Sequence, residues 1–211
     1  GLKAGDRVAL KLVPEFLLHD GMLVERLKRE AEAISRLNHP SIVKFHELGE
    51  EDGRVFMVLE LLRGETLAQR LEKEKQLPIA EIERIGGAIA DALAYIHGKG
   101  IYHRDLKPQN IFVTEEGSVK LIDLGVAKVL DEASLTMTGS HFGTPAYMSP
   151  ESFRDSKKVT GAADVWSLGV ILYEMATGQM PFPGNSAAAI IAKISDTNIT
   201  PQSPARLRDD L

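Results

Sequence analysis

The sequence has no cysteine, only 6% aromatic residues and no long apolar run. The lack of cysteine excludes disulfides and cysteine-zinc sites, and it agrees with a reducing cytoplasm. The longest charge-free apolar stretch, 165–173, is too short to span a bilayer, and no signal peptide opens the chain. We therefore expect a cytoplasmic localisation and no membrane contact within these residues.

The charge balance gives no reason to expect a nucleic-acid partner. The chain has 25 Lys and Arg against 30 Asp and Glu, for a net charge of −5, and its basic residues are scattered. Nucleic acids and acidic membranes call for clustered basic residues. A content of 44% hydrophobic and 26% charged residues over 211 positions fits one compact unit or two small lobes with an ordinary core.

Two short apolar runs flank a polar turn and predict a β-hairpin. The runs are 111–113 and 119–122, and the turn is 114–118. In an antiparallel hairpin the residue that enters the first strand lies beside the residue that leaves the second. The amide oxygen of Asn110 and the carboxylate of Asp123 should therefore face one point, which suits Mg²⁺.

Charged residues precede the hairpin on the same loop. Asp105 offers a second carboxylate, placed to orient a hydroxyl group, and Lys107 adds a compact positive charge. A metal pair, a proton acceptor and a cation are thus predicted to lie close together.

These residues resemble the catalytic and metal-binding motifs of eukaryotic-like (Hanks-type) serine/threonine protein kinases of the bacterial kind. The matching segments are the catalytic loop 103–110, the Asp-Leu-Gly triplet 123–125 and the docking segment 143–151, with Lys11 and Glu30 upstream. The resemblance implies an α+β, bilobal protein-kinase-like fold, with a small β-rich N-lobe and a larger helical C-lobe, both incomplete.

The resemblance also implies a division of the chain into lobes. Residues 1–61 would form a partial N-lobe with the lysine strand, 62–64 the hinge, and 65–211 a partial C-lobe with the catalytic loop and activation segment. No G-x-G-x-x-G lid occurs, and the family's last large-lobe helices are also missing. We expect the isolated fragment to bind ATP poorly, to expose apolar surface and to be a candidate for inactivity.

The N-terminal third predicts a strand followed by a helix. In the strand 7–13, Ala9 and Lys11 share one face. In the helix 22–37, Glu30 falls within the apolar stripe and needs a partner, because an inward carboxylate is costly to bury alone. Lys11 is the expected partner, and a partly solvated helix edge is the alternative.

Further elements follow from periodicity and turn residues. The segments 42–45 and 55–61 predict strands, Pro78 opens a long core helix, and 162–177 predicts a buried helix because it is apolar nearly all round.

Asp164, at the start of that buried helix, can be satisfied by backbone N–H groups. In kinases it braces the catalytic loop near His103 and Arg104, and His103 is assigned to packing. The resemblance also places four residues in an apolar column that aligns the lobes: Ile34, Phe45, His103 and Leu124.

The resemblance assigns the residue roles. Lys11, held by Glu30, would anchor the α- and β-phosphates, and Asp105 would take the hydroxyl proton. Lys107 would offset charge on the transferred group, and Thr144 would bond Asp105 and Lys107 and favour a Ser or Thr acceptor. The catalytic residues are then Asp105, Lys107, Lys11, Glu30 and Thr144; the metal ligands are Asn110 and Asp123; the nucleotide contacts are Lys11, Ala9, Glu60, Leu62, Phe112, Asn110 and Asp123; and Leu59 is the gatekeeper.

A polar loop before the docking segment is the predicted regulatory region. The resemblance places autophosphorylation at Thr136 and Thr138, which would involve self-association, with Arg104 available to bind the phosphate. A merely flexible polar loop is the alternative. Two departures from the family pattern are mild: Leu124 replaces Phe, and Ser149 replaces Ala.

The predicted function is a Ser/Thr protein kinase that uses ATP and Mg²⁺ on protein substrates with Ser or Thr acceptors. The rival hypotheses are a pseudokinase scaffold and a kinase of small molecules. The intact Lys11, Asp105 and Asp123 argue against the first, and the docking segment that ends at Glu151 argues against the second. In bacterial relatives a segment beyond residue 211 can anchor the protein in a membrane.

Overall fold

The computed structural model describes residues 2–15, 18, 21–124, 145–153 and 160–201. The strands are β1 (Val8–Leu12), β2 (Phe45–Glu51), β3 (Arg54–Glu60), β4 (Gly64–Thr66), β5 (Ile111–Thr114) and β6 (Val119–Leu121). The α-helices are α1 (Gly21–Ser35), α2 (Leu67–Glu74), α3 (Ile79–His97), α4 (Gly161–Thr177) and α5 (Ala187–Ser195). No helix in these ranges is both long and apolar enough to cross a membrane.

The first sheet carries the lysine strand. Its order is β1-β3-β2, all antiparallel, and α1 packs against β2. Asp52 and Gly53 both have positive φ, 50° and 72°, which is the conformation of a tight hairpin turn between β2 and β3. Lys11 lies opposite Met57, and Ala9 lies opposite Leu59.

One predicted strand was wrong. The run 42–45 does not form its own strand in this sheet; β2 begins at Phe45, and Ile42 makes an isolated parallel bridge to Leu121 of β6. Leu121 donates to Ser41 O and accepts from Val43 N, both at 2.9 Å. The apolar run therefore connects the first sheet to the second.

The second sheet has the order β4-β5-β6 and contains the predicted hairpin. The segment 64–66, expected to lie in and next to a linker, is strand β4, and the helix α2 that follows was not predicted. Thr66 caps α2 reciprocally with Gln69. Gly64 has φ 140°, and a Cβ there would clash with the Val113 carbonyl, so β4 can approach β5 this closely only with glycine at 64.

The core of the larger part is built on α3 and α4, which pack against each other. A Cβ on Gly86 would lie 2.7 Å from Leu172 Cδ2, so glycine lets the two helices approach. The core side chains with no exposure include Ile85, Ile89, Ile96, Ile171 and Met175. Burial of each contributes about 1.5–3 kcal/mol.

Two apolar surfaces remain open to solvent. The predicted burial of α4 holds only for one face, because Ala162, Val165 and Gly169 are exposed and Val165 is 61% exposed. On β1, Leu10 and Leu12 are 59% and 60% exposed, which agrees with the expected apolar surface. Within the described ranges β1 pairs only with β3.

Candidate active site

The hairpin places its two flanking oxygen-bearing residues at its open end. Ile111 pairs with Leu121, and Ile122 N donates to Asn110 O at 2.9 Å. Asn110 and Asp123 therefore flank the last pair of the hairpin, as predicted. Asp123 has φ 65°, a left-handed conformation that turns the chain as it leaves the strand.

The catalytic-loop side chains form one hydrogen-bonded group. Lys107 Nζ lies 2.7 Å from Asp105 Oδ2. Asn110 Nδ2 donates to the Asp105 backbone oxygen at 2.8 Å and to Oδ2 at 3.0 Å. Because the amide nitrogen is directed at Asp105, the amide oxygen of Asn110 faces the opposite side. The predicted cluster of acceptor, cation and amide is thus assembled in the fold.

The lysine of β1 reaches the same site, but its partner differs from the prediction. Lys11 Nζ lies 2.5 Å from Asp123 Oδ1, whereas Glu30 Oε1 accepts from Arg26 Nε at 3.4 Å. Arg26 lies one helical turn before Glu30, where an opposite charge at i, i+4 is a natural partner. The expected pairing of Lys11 with Glu30 is therefore not the one formed here.

Asp164 braces the catalytic loop as predicted. It is 1% exposed, and its Oδ2 accepts from His103 N at 2.9 Å while its Oδ1 accepts from Arg104 N at 2.8 Å. Arg104 has φ 65°, a strained conformation that these contacts help to hold. Sequence reasoning missed a third contact, His97 Nε2 to Asp164 Oδ2 at 2.7 Å. The sequence feature that indicates this contact is the spacing of His97, which follows Leu93 by four residues and so lies on the inward-facing apolar stripe of α3.

His103 lies in the core, in agreement with its assignment to packing. Its side chain is 2% exposed, and burial lowers the pKa of the imidazole below its ordinary value. The other three members of the predicted column are also buried: Ile34, Phe45 and Leu124. A neutral, buried ring at this position fills space beside the catalytic loop.

A small cavity opens between the first sheet, α1 and the two residues Asp123 and Leu124. Its lining residues are Lys11, Ile34, Val43, Phe45, Met57, Leu59, Asp123 and Leu124. Leu59, the expected gatekeeper, thus lies on the wall of the cavity that also contains Lys11 and Asp123.

The residues expected to contact a base lie on both sheets. Ala9 pairs with Leu59, next to Glu60, at the end of β3, and the half-buried Leu62 follows in the otherwise exposed connection to β4. Glu60 N donates to Lys44 O at 2.9 Å, so any contact of Glu60 with a base would use its carbonyl.

Phe112 lies on the second sheet, opposite Lys120, on the hairpin face away from the buried Ile111 and Val113. An ion pair between Lys120 and Glu60, at 3.0 Å, joins the two sheets at this point.

The docking segment is fixed on α4 by contacts that sequence reasoning did not identify. Tyr147 Oη donates to Glu174 Oε2 at 2.7 Å, and Ser167 Oγ donates to Tyr147 O at 2.8 Å. Burial, with the Glu174 hydrogen bond, raises the pKa of Tyr147, and burial also raises the pKa of Glu174. These contacts hold 145–153 beside Asp105.

Residue 149, the departure from the family alanine, is accommodated locally. Ser149 is 1% exposed, and its Oγ lies 2.7 Å from Ser152 Oγ. Glu151 is exposed, and it forms no ion pair with another of the described residues. Thr144, Thr136 and Thr138 lie outside the described residues, as does Gly125.

The chain matches the family model of the protein kinase domain over residues 2–208. It is 40% identical to the probable serine/threonine-protein kinase PknB of Lactococcus lactis, over 97% of this chain and 34% of that protein. It is 40% identical to the serine/threonine-protein kinase pkn3 of Myxococcus xanthus, over 96% of this chain and 38% of that protein. Identity to the serine/threonine-protein kinase PrkC of Bacillus subtilis is 37%, over 88% of this chain and 28% of that protein. The chain thus spans about a third of the length of these relatives.

Proposed function

The chain belongs to the protein kinase family, and from this premise we propose that it is the catalytic part of a serine/threonine protein kinase. It would transfer the γ-phosphate of ATP to Ser or Thr hydroxyls of proteins. The observation that carries the proposal is the convergence of two charged groups: the Asp105, Lys107 and Asn110 cluster, and the Lys11 and Asp123 pair at the open end of the same hairpin.

The donor set fits a magnesium ion. Asn110 offers an amide oxygen turned away from Asp105, and Asp123 offers a carboxylate at the end of β6. No cluster of three or more His, Asp or Glu ligands exists in the part of the chain that the structure describes. Mg²⁺ takes one or two protein oxygens and completes its shell with waters and phosphate oxygens, so Asn110 and Asp123 suffice. The ion would neutralise charge on the phosphates.

Lys11 is placed to bind phosphate oxygens. Its ammonium lies 2.5 Å from the Asp123 carboxylate, so the cation lies directly beside the proposed metal ligand. Lys11 would anchor the α- and β-phosphates there. Glu30, paired with Arg26 on α1, keeps a proposed supporting role through the position of that helix.

Asp105 would orient the acceptor hydroxyl and take its proton as the oxygen attacks the γ-phosphorus and the bond to ADP breaks. Its carboxylate is held by Lys107 and Asn110, which removes rotational freedom before a substrate arrives. Lys107 would also offset charge on the transferred group. The proposed part of Thr144 in selecting Ser and Thr acceptors rests on the family resemblance.

A protein acceptor is supported by the docking segment. The contacts of Tyr147 with Glu174 and Ser167 fix 145–153 on α4, next to Asp105. A cavity lined by residues of both the catalytic loop and this segment, among them Lys107 and Met148, gives a place where a polypeptide could lie beside the acceptor. A pseudokinase would not need the assembled charged groups.

The test is transfer of labelled γ-phosphate from ATP, with Mg²⁺, to a generic basic protein. Asp105→Asn should lower kcat at least a hundredfold, and Lys11→Met should lower kcat/KM as strongly. Glu32→Gln is the control, because Glu32 forms an exposed surface pair with Arg36 and should behave as wild type. Transfer that survives Asp105→Asn would refute the assigned roles.

Two more detailed proposals can be tested with the same protein samples. Autophosphorylation is proposed at Thr136 and Thr138, with self-association of two copies, and mapping of modified residues tests it. Modification that occurs at a rate independent of protein concentration would contradict the need for a second copy.

A further inference from the structure

One ion pair joins the two sheets on the hairpin face that carries Phe112. Lys120 Nζ of β6 donates to Glu60 Oε2 of β3 at 3.0 Å, and the two side chains are only 16% and 32% exposed. Neither side chain has a chemical role in the proposed reaction. The pair is nonetheless next to the expected base contacts on both sides.

The Glu60 carboxylate is held in place by the backbone. Lys44 N donates to Glu60 Oε2 at 3.0 Å, while Glu60 N donates to Lys44 O at 2.9 Å. This reciprocal contact fixes the acid against the segment that enters β2. Lys120 therefore binds a carboxylate whose position is already set, which lowers the entropy cost of the ion pair.

Lys120 shares its hairpin face with Phe112. The two residues are directly opposite in the β5 and β6 register, and their side chains are half-buried. The alternate residues of β6, Val119 and Leu121, are buried on the other face. Because side chains alternate along a strand, Lys120 and Phe112 project from the same face of the hairpin, the face on which Lys120 meets Glu60.

From this arrangement we propose that the Lys120 and Glu60 pair is a positioning device for the nucleotide base. It fixes the distance between Glu60, which ends β3 just before the hinge, and Phe112, and so sets the width of the slot for a flat purine. This inference rests on the proposed function, because it assigns the base to that slot.

The pair differs from the surface ion pairs of the molecule. Arg36 and Glu32 also lie close, at 2.6 Å, but they are 75% and 66% exposed and both belong to the segment at the end of α1. Such a pair contributes little. Loss of the Glu60 carboxylate would instead leave a partly buried ammonium beside Phe112 without its acceptor, so the hairpin would shift away from β3.

The experiment measures KM for ATP and kcat in Lys120→Met, Glu60→Gln and the double variant. We expect KM to rise roughly threefold to tenfold in each single variant while kcat stays within about twofold, since the pair acts on the base and not on the phosphates. The double variant should be no worse than the poorer single one, because the two residues act as a unit. Lys120→Arg should retain most of the affinity, and Glu32→Gln serves as the control.

Inorganic tripolyphosphate separates positioning of the base from general damage. It has phosphates and no base, so its inhibition constant should be unchanged in Lys120→Met while that of a non-hydrolysable ATP analogue rises. Equal weakening of both ligands, or an ATP KM within twofold of wild type, would overturn the proposal. If Lys120→Met fails to fold, Glu60→Asp decides: it keeps the charge, shortens the reach and should still raise KM.

The experiments distinguish failure of the proposed kinase function from failure of the proposal about the ion pair. If wild type transfers no phosphate, the kinase proposal fails, and binding of the ATP analogue alone then tests the pair. Binding that Lys120→Met weakens would retain the base slot, and binding that it leaves unchanged would overturn it.

Discussion

Asp164→Asn is the substitution with the largest expected effect that touches none of the proposed reacting groups. Asp164 accepts three hydrogen bonds, from His103 N, Arg104 N and His97 Nε2, at 2.7–2.9 Å, and it is 1% exposed. An asparagine fits the same space. It has one acceptor oxygen instead of two, and its NH₂ group must face a donor.

The magnitude follows from the geometry. In its better orientation the asparagine oxygen keeps the His103 and His97 contacts, and its NH₂ group faces Arg104 N. One hydrogen bond to a charged group is lost, at about 1.5–3 kcal/mol, and a partly buried donor is left unpaired, at about 1–3 kcal/mol. We expect a loss of roughly 3–5 kcal/mol in the free energy of unfolding, a large fraction of the stability of a typical domain.

The assay is chemical denaturation, with kcat measured on the same samples. Asp91→Asn is the matched control, because Asp91 also pairs with a histidine, His39 at 3.1 Å, yet it is 74% exposed. It should cost less than about 1 kcal/mol. Since Arg104 and the next residue, Asp105, lose a support, kcat of Asp164→Asn should fall by roughly tenfold or more. A stability loss under about 1 kcal/mol, or equal losses in the two variants, would refute the argument.

Three further predictions concern other parts of the fold. Burial raises the pKa of Glu174, so in the folded state this acid holds its proton to a higher pH than in the unfolded state, and stability falls as pH rises through that interval. Glu174→Gln keeps an acceptor for Tyr147, so it should raise the melting temperature slightly at pH 7, with the gain vanishing below the ordinary glutamate pKa; a lower melting temperature at pH 7 would contradict this. Gly64→Ala forces a Cβ against the Val113 carbonyl at a positive φ, and it should lower the denaturation midpoint by the equivalent of about 2 kcal/mol or more; an unchanged midpoint is the contrary result. Asp123→Asn should raise the Mg²⁺ concentration for half-maximal phosphate transfer at least about tenfold, and an unshifted Mg²⁺ titration would remove this residue from the proposed metal pair.

Local signals predicted the hairpin and its flanking residues correctly. The spacing of 111–113 and 119–122 around a polar turn fixes a register, because a slip by one residue would turn Ile111 and Leu121 away from the core. Asn110 and Asp123 follow from that register alone. The support of the catalytic loop by Asp164 was expected from the resemblance to protein kinases, whereas the sequence alone indicated only that a carboxylate at a helix start needs backbone donors.

Partners between distant segments could not be predicted in the same way. The run 42–45 is apolar enough for a strand, but nothing in it specifies that Ile42 will bridge to Leu121. Likewise, Glu30 in an apolar stripe requires a cationic partner, and the sequence alone offers both Arg26 and Lys11. Sequence pattern defines the need for a partner, and the tertiary structure selects the partner.

Strand β6 and the residues just after it help to join the two parts of the chain. Lys120, Leu121 and Asp123 each bind one or more residues of the first 60 positions. The contacts are Lys120 with Glu60, Leu121 with Ser41 and Val43, and Asp123 with Lys11. The strand that leads to the proposed metal ligand is thus positioned from both sides.

The backbone hydrogen bonds and the ion pairs in this group differ in how strongly salt weakens them. The two backbone hydrogen bonds at Leu121 form an isolated bridge around the buried Ile42, whereas the flanking ion pairs are partly exposed and weaken with salt. Asp123 lies two residues beyond Leu121, so these backbone bonds support its position together with the Lys11 contact. High salt should therefore weaken both ion pairs while the backbone bonds at Leu121 persist, because hydrogen bonds between neutral groups are not screened in the same way.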